Sequence, residues 1–133
     1  MMATKTILCV DGDEIFRELC RFILTRCGYG VELAADGIAA VRLAVEIEPD
    51  LIVMELDLPE ESGLEVLRFI RNEAAERLRE TPVLVVSLYP AHHHEIQQAM
   101  VLGVAGYVSK TNSDFVNRLP GIVREVAPHH VVI

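Results

Sequence analysis

The chain has 133 residues, 51% hydrophobic and 24% charged, which is the size and make-up of one ordinary folded domain and excludes disorder and collagen-like repeats. Twelve basic against twenty acidic residues leave a formal charge of −8, which argues against nucleic-acid binding, because phosphate neutralisation needs clustered Lys and Arg. No apolar run approaches the roughly 18 residues that span a bilayer, and the opening MMATKTILCV is too short in its apolar stretch for a secretory signal.

A cytoplasmic location and no membrane partner are therefore expected. Cys9, Cys20 and Cys27 lack metal-type spacing and sit in apolar segments, as reduced core thiols would.

In chain order, the first apolar run is Thr6–Val10. A segment of helical spacing follows, carrying Phe16, Leu19, Cys20, Ile23 and Cys27, with Gly28 as its stop. Next come the run Val31–Ala34 and a second helix opening at Asp36-Gly37, with Val41, Ala44 and Val45 on one face. After the run Leu51–Met54, a third helix carries Leu64, Leu67 and Ile70 and then turns polar through Glu80. Val83–Val86 precedes a fourth helix with Ile96, Ala99 and Met100, stopped at Gly103. Ala105–Val108 precedes a fifth with Phe115, Leu119, Ile122 and Val126, inside which Pro120 is expected to kink or restart the helix.

Strand alternating with helix five times predicts a parallel sheet covered on both faces. The continuous runs at Ile7, Leu51 and Val83 suit central strands. The interrupted runs at Val31 and Ala105 suit edges. One domain over residues 1–133 is expected, with its core at about 5–126 and a tail at 127–133.

Open parallel sheets place function at the carboxyl ends of their strands. Those ends carry Asp11-Gly12-Asp13-Glu14, then Glu55-Leu56-Asp57, then Ser87, then Ser109-Lys110. Acids there can hold Mg²⁺ through oxygen ligands, and a lysine with a hydroxyl can neutralise a transferring phosphoryl group. Asp13 and Asp36 also suit helix caps. His92-His93-His94 reads as a solvated face, because consecutive helical residues point about 100° apart and cannot chelate one ion. His129-His130 reads the same way.

With those ends in place, the sequence resembles the receiver domains of two-component response regulators. ILCVDGDEIFRELCRFIL, AADG at Ala34–Gly37, PDLIVMELDLPEESGLEVLRFIR at Pro49–Arg71, PVLVVSL at Pro82–Leu88 and GVAGYVSK at Gly103–Lys110 carry the likeness. It implies an α/β, CheY-like (flavodoxin-like) doubly wound five-stranded parallel sheet of strand order 2-1-3-4-5. It also implies signal reception from a sensor histidine kinase or another signalling protein. The face of the fourth helix, fifth strand and fifth helix is implied as a surface for dimers and partners.

Residue by residue, the likeness places Glu55 at the phosphoacceptor position. Asp11 and Asp13 join Asp57 in the acidic pocket, Asp57 where the family offers a backbone carbonyl to the metal. Ser87 takes the switch-hydroxyl position, Tyr107 the position of the ring that swings inward, and Lys110 the position of the family lysine.

The departures are specific. Gly12 replaces a direct acidic metal ligand, Glu55 replaces aspartate, and Thr111 replaces the proline after the lysine, leaving the Lys110–Thr111 bond open between cis and trans. A Mg²⁺ site built from Asp11, Glu55 and Asp57 should therefore be weak, and no other cofactor is expected. The expectation is a non-enzymatic, degenerate receiver acting through protein contacts, with Glu55 reaching toward Lys110 and Ser87. One alternative is a receiver phosphorylated on Asp57 or Glu55. Another, from a different class, is a haloacid-dehalogenase-like phosphatase with Asp11 as nucleophile and Asp13 as general acid, which would require a flap inserted after the Asp11–Ile15 motif and a further acidic pair on a strand after Lys110.

Overall fold

The computed structural model describes residues 4–72 and 75–127. Five strands, β1 Thr6–Val10, β2 Gly30–Ala34, β3 Leu51–Met54, β4 Val83–Ser87 and β5 Gly106–Ser109, form one parallel sheet of order β2-β1-β3-β4-β5. The edges and centres fall where the apolar runs placed them. Helices α1 Glu14–Arg26, α2 Gly37–Ile47, α3 Gly63–Asn72, α4 Glu76–Arg79, α5 His94–Val101 and α6 Phe115–Val126 connect and follow the strands.

The continuous apolar runs work as doubly buried strands because alternate residues face opposite layers. Ile7, Cys9, Leu51, Val53, Leu84 and Val86 pack with Cys20, Ile23, Leu24, Phe115, Leu119 and Val123 of α1 and α6. Leu8, Val10, Ile52, Met54, Val83 and Val85 pack with Ala40, Ala44, Leu64, Leu67, Ile70, Ile96 and Ala99 of α2, α3 and α5.

Several local expectations change. The long third helix is two: α3 ends at Asn72 and a single turn, α4, follows, with only Leu78 buried. Arg71 holds this region by donating to the carbonyls of Leu102 and Thr81, both at 2.9 Å, so the polar stretch anchors one helix rather than prolonging it. Strand β5 begins one residue later than its apolar run, and Ser87 and Ser109 lie within strands, paired with each other. Helix α6 continues through Pro120, because Leu119 and Val123 on either side are fully buried and hold it to the sheet. Cys9 and Cys20 are core thiols, but Cys27 is exposed at the end of α1.

Among the described residues no helix is long and apolar enough to cross a membrane. His129, His130 and the tail from residue 128 lie outside the described residues.

Gly63 shows why α3 starts where it does. Its N–H donates to Leu56 O at 2.8 Å, and a Cβ there would stand 2.7 Å from Glu55 O and Leu56 Cα, both backbone atoms. Gly63→Ala should therefore destabilise the fold by about 1–3 kcal/mol despite the better helix propensity of alanine, since overpacking against backbone outweighs that gain. Thermal unfolding followed by circular dichroism checks this, and an unchanged midpoint would count against the close approach.

Candidate functional site

Strand register decides what meets at the carboxyl edge. Val10 pairs with Met54, so Asp11 and Glu55 leave the sheet side by side, and Glu55 N–H donates to Val10 O at 2.9 Å. Ser87 pairs with Ser109, and Lys110 N–H donates to Ser87 O at 2.9 Å, which sets the lysine across from them. Asp11, Gly12, Asp13, Glu55, Asp57, Leu58, Pro59, Leu88 and Lys110 line one open cavity of about 410 Å³.

Its floor is a buried charge triad. Lys110 Nζ lies 2.6 Å from Asp11 Oδ2 and 3.2 Å from Glu55 Oε1. All three residues are at least nine-tenths buried. The expected Glu55–Lys110 pair is thus present, but Asp11 is the nearer partner. Glu55 is further held by backbone donors, Leu56 N–H at 2.7 Å and Asp57 N–H at 3.3 Å on Oε2, and Leu88 N–H at 3.4 Å on Oε1. Asp11 accepts from Asp13 N–H at 2.9 Å, and its backbone carbonyl accepts from Arg17. The Phe16 ring lies beneath Lys110, 4.3 Å from the ammonium to the centroid, adding a cation–π contact on the apolar side.

Burial and charge pull the proton affinities in opposite directions here. Burial alone would lower that of Lys110, but the Asp11 and Glu55 carboxylates outweigh it and hold the ammonium's pKa above its ordinary value. Burial also pushes the Asp11 carboxyl up. Lys110 and the Asp13 N–H pull it back only in part, while Glu55 adds to the rise.

The remaining residues divide. Asp13 caps α1, its Oδ1 accepting from Ile15 N–H at 2.9 Å, and Asp36 caps α2 through Ala39 N–H at 2.8 Å. Asp57 is exposed on the cavity wall. Ser87 is wholly buried, and its Oγ accepts from Tyr89 N–H at 3.1 Å instead of meeting Glu55. Tyr107 is half-buried and donates its hydroxyl to the Tyr89 carbonyl. The Lys110–Thr111 bond is trans, since the described residues contain no cis peptide.

Three features were missed in the sequence. Pro59 fills the place of a side chain at Gly12: a Cβ there would stand 2.7 Å from Pro59 Cδ and 3.0 Å from Cγ. That proline is fixed by a tight turn in which Glu61 N–H donates to Pro59 O at 2.7 Å and Glu60 takes a left-handed φ of 66°. Leu88, 60% exposed, stands at the cavity mouth. His93 is no solvated residue, as it is half-buried, precedes α5 and caps it. The Gly12–Pro59 contact carries no local signal. A histidine just ahead of an apolar helical pattern could have suggested the cap.

α1 starts at Glu14, directly after the first acidic loop, so there is no inserted flap of the kind the phosphatase alternative requires.

Comparison with known proteins agrees with the architecture and with the residues at its edge. Residues 7–119 match the response regulator receiver domain family. The chain is 36% identical over 109 residues to the polar-differentiation response regulator DivK of Brucella ovis, covering 80% of this chain and 85% of that one. It is 34% identical over 108 residues to DivK of Brucella anthropi, covering 80% and 84%. Among solved structures, the chemotaxis protein CheY4 of Vibrio cholerae superposes with a TM-score of 0.83 at 25% identity, over 93% of this chain and 99% of that one. The manganese-bound response regulator Rcp1 gives 0.80 at 25% identity, over 97% and 99%. With the match covering most of the sheet and every strand end that builds the cavity, the chain belongs to the response regulator receiver domains of two-component signalling.

Proposed function

We propose that this receiver signals through protein contacts without running the aspartyl-phosphate cycle, with residues 5–126 as the signalling unit and Glu55 held permanently in the position a phosphoryl group would otherwise fill. One observation carries this: the Glu55 carboxylate already occupies Lys110 at 3.2 Å and the Leu88 N–H at 3.4 Å. An acidic group bonded to that lysine and that loop imitates part of the charge a phosphoryl group brings, about one unit against nearly two. Its partner is a sensor histidine kinase or another signalling protein, met at the cavity edge or at the face of α5, β5 and α6, the face also proposed for a homodimer.

The residues present do not suit the divalent cation that receivers ordinarily use. Mg²⁺ requires near-octahedral oxygen ligation. Here Lys110 occupies Asp11 and Glu55, Asp13 is turned to its helix, and Pro59 stands where a carboxylate on residue 12 would have to begin. That leaves the exposed Asp57 carboxylate with backbone groups, too little for tight binding.

The test is intact-mass spectrometry after incubation with a small acyl phosphate and Mg²⁺, with calorimetric titration of Mg²⁺ alongside. The unmodified mass and no submillimolar binding are expected. A phosphoryl group on Asp57 or Glu55 would establish the phosphorylatable alternative and sink this one.

A further inference from the structure

Outside the carboxylate cavity, a column of rings stands at the start of α5. Tyr89 and His93 lie parallel, centroids 4.0 Å apart and planes 4° apart, and His94 stacks on His93 at 4.4 Å. His93 is the N-cap of α5, its Nδ1 accepting from Glu95 N–H at 3.1 Å. A ring nitrogen that accepts has a free lone pair, so this geometry belongs to the neutral imidazole with its proton on Nε2.

The same residues are tied to the cavity. Tyr89 N–H donates to Ser87 Oγ, the Tyr89 carbonyl accepts from the Tyr107 hydroxyl, and the neighbouring Leu88 N–H reaches Glu55.

Protonation takes away the acceptor. The imidazolium presents an N–H to the Glu95 N–H, donor against donor, and sets a cation where the helix end is already positive. α5 has only eight residues, with Ile96 and Ala99 as its buried contacts, so a lost cap is a large fraction of what orders its first turn.

The rings in contact with His93 are Tyr89, from the loop after β4, and His94, and its other titratable neighbours along the chain are His92 and Glu95. Around Tyr89, the Asp57, Glu95 and Glu55 carboxylates join burial in raising the hydroxyl's pKa, burial being the larger cause. The bond from the Glu95 N–H to Nδ1 is lost on protonation.

We propose that His93 is a proton-operated cap: neutral, it orders the first turn of α5 next to the loop whose Tyr89 backbone meets Ser87 and Tyr107, and protonated, it releases that turn.

The experiment is amide hydrogen exchange by NMR on the full chain, from about pH 8 to about pH 5.5, across the usual histidine range. The His93 ring shifts are followed in parallel. After correction for intrinsic exchange, protection at Glu95, Ile96 and Gln97 should fall about fivefold, the loss typical of a removed cap, with the midpoint of the His93 titration. His93→Asn caps without titrating and should stay protected throughout. His93→Ala should be unprotected at both ends, and His94→Asn should keep the response of the parent.

The proposal is overturned if protection stays constant while His93 titrates, or if the ring does not titrate in this range. The same holds if His93→Asn responds like the parent, if His94→Asn abolishes the response, or if His93→Ala matches the parent near pH 8.

Discussion

Replacing Lys110 by methionine should cost about 3–5 kcal/mol of stability at neutral pH, the penalty for breaking a buried charge pair from one side. Methionine keeps the volume and the apolar contact with Phe16. What it removes is the ammonium 2.6 Å from Asp11 and 3.2 Å from Glu55. Two buried carboxylates then share a site with no cation, and Asp11, already raised by burial and by Glu55, loses the Lys110 contact that pulled it back.

The pH dependence follows from which state binds more protons. In the parent, Lys110 has a raised pKa, so its stabilisation is complete below the ordinary lysine value of about 10.4 and is lost as pH rises through the higher folded value. In the variant that alkaline loss disappears. Its folded Asp11 carboxyl instead keeps its proton to higher pH than in the unfolded chain, so stability falls as pH rises from acid toward neutral. The gap between variant and parent should be small near pH 5 and full at pH 7.5. Glu55→Gln added to Lys110→Met should recover part of the loss, because one of the two stranded charges is gone. Urea unfolding at several pH values measures all of this. A deficit equal at pH 5 and pH 7.5 would place the cost in packing rather than charge.

The same triad shows how far the sequence could be read. The parallel sheet, its two helical layers and the meeting of Asp11, Glu55 and Lys110 were legible in the continuous apolar runs and the polar residues that end them, and the strand order in the resemblance to receiver domains. What was not legible depends on contacts between segments with no shared pattern. Ser87 was expected to face Glu55, yet its hydroxyl serves the Tyr89 N–H, because it lies inside the strand rather than past its end. The polar stretch after Ile70 kept helical spacing, but Arg71 spends its guanidinium on loop carbonyls and the helix stops. The trans bond at Lys110 and the cap at His93 depend on local geometry that residue types only weakly bias. Above all, Gly12 reads alone as a lost carboxylate, whereas in the fold it is half of a contact whose other half is Pro59.

That contact sets the largest expected gain of function. Returning the carboxylates alone, Gly12→Asp with Glu55→Asp, should not fully restore phosphorylation, because the new side chain begins 2.7 Å from Pro59 Cδ and 3.0 Å from Cγ. Either the proline moves against its tight turn or the end of β1 is displaced. A displacement of about 1 Å between reacting groups can cost on the order of a hundredfold in rate. Pro59→Ala removes those two atoms and keeps Cβ. The triple variant Gly12→Asp, Glu55→Asp, Pro59→Ala should therefore bind Mg²⁺ and gain one phosphoryl group from a small acyl phosphate, as an acyl phosphate on residue 55 with release of the donor's carboxylate. The double variant should react far more slowly, and Pro59→Ala alone should stay unmodified. The three changes act on one transition state, so their effects should multiply beyond the product of the single ones. Intact-mass spectrometry over time, with hydroxylamine to release the acyl phosphate, resolves the series. If the double variant reacts as fast as the triple, Pro59 yields freely and the contact does not guard the site. If the triple variant folds, binds Mg²⁺ and remains unmodified, Glu55 does not stand at the position of the phosphate acceptor.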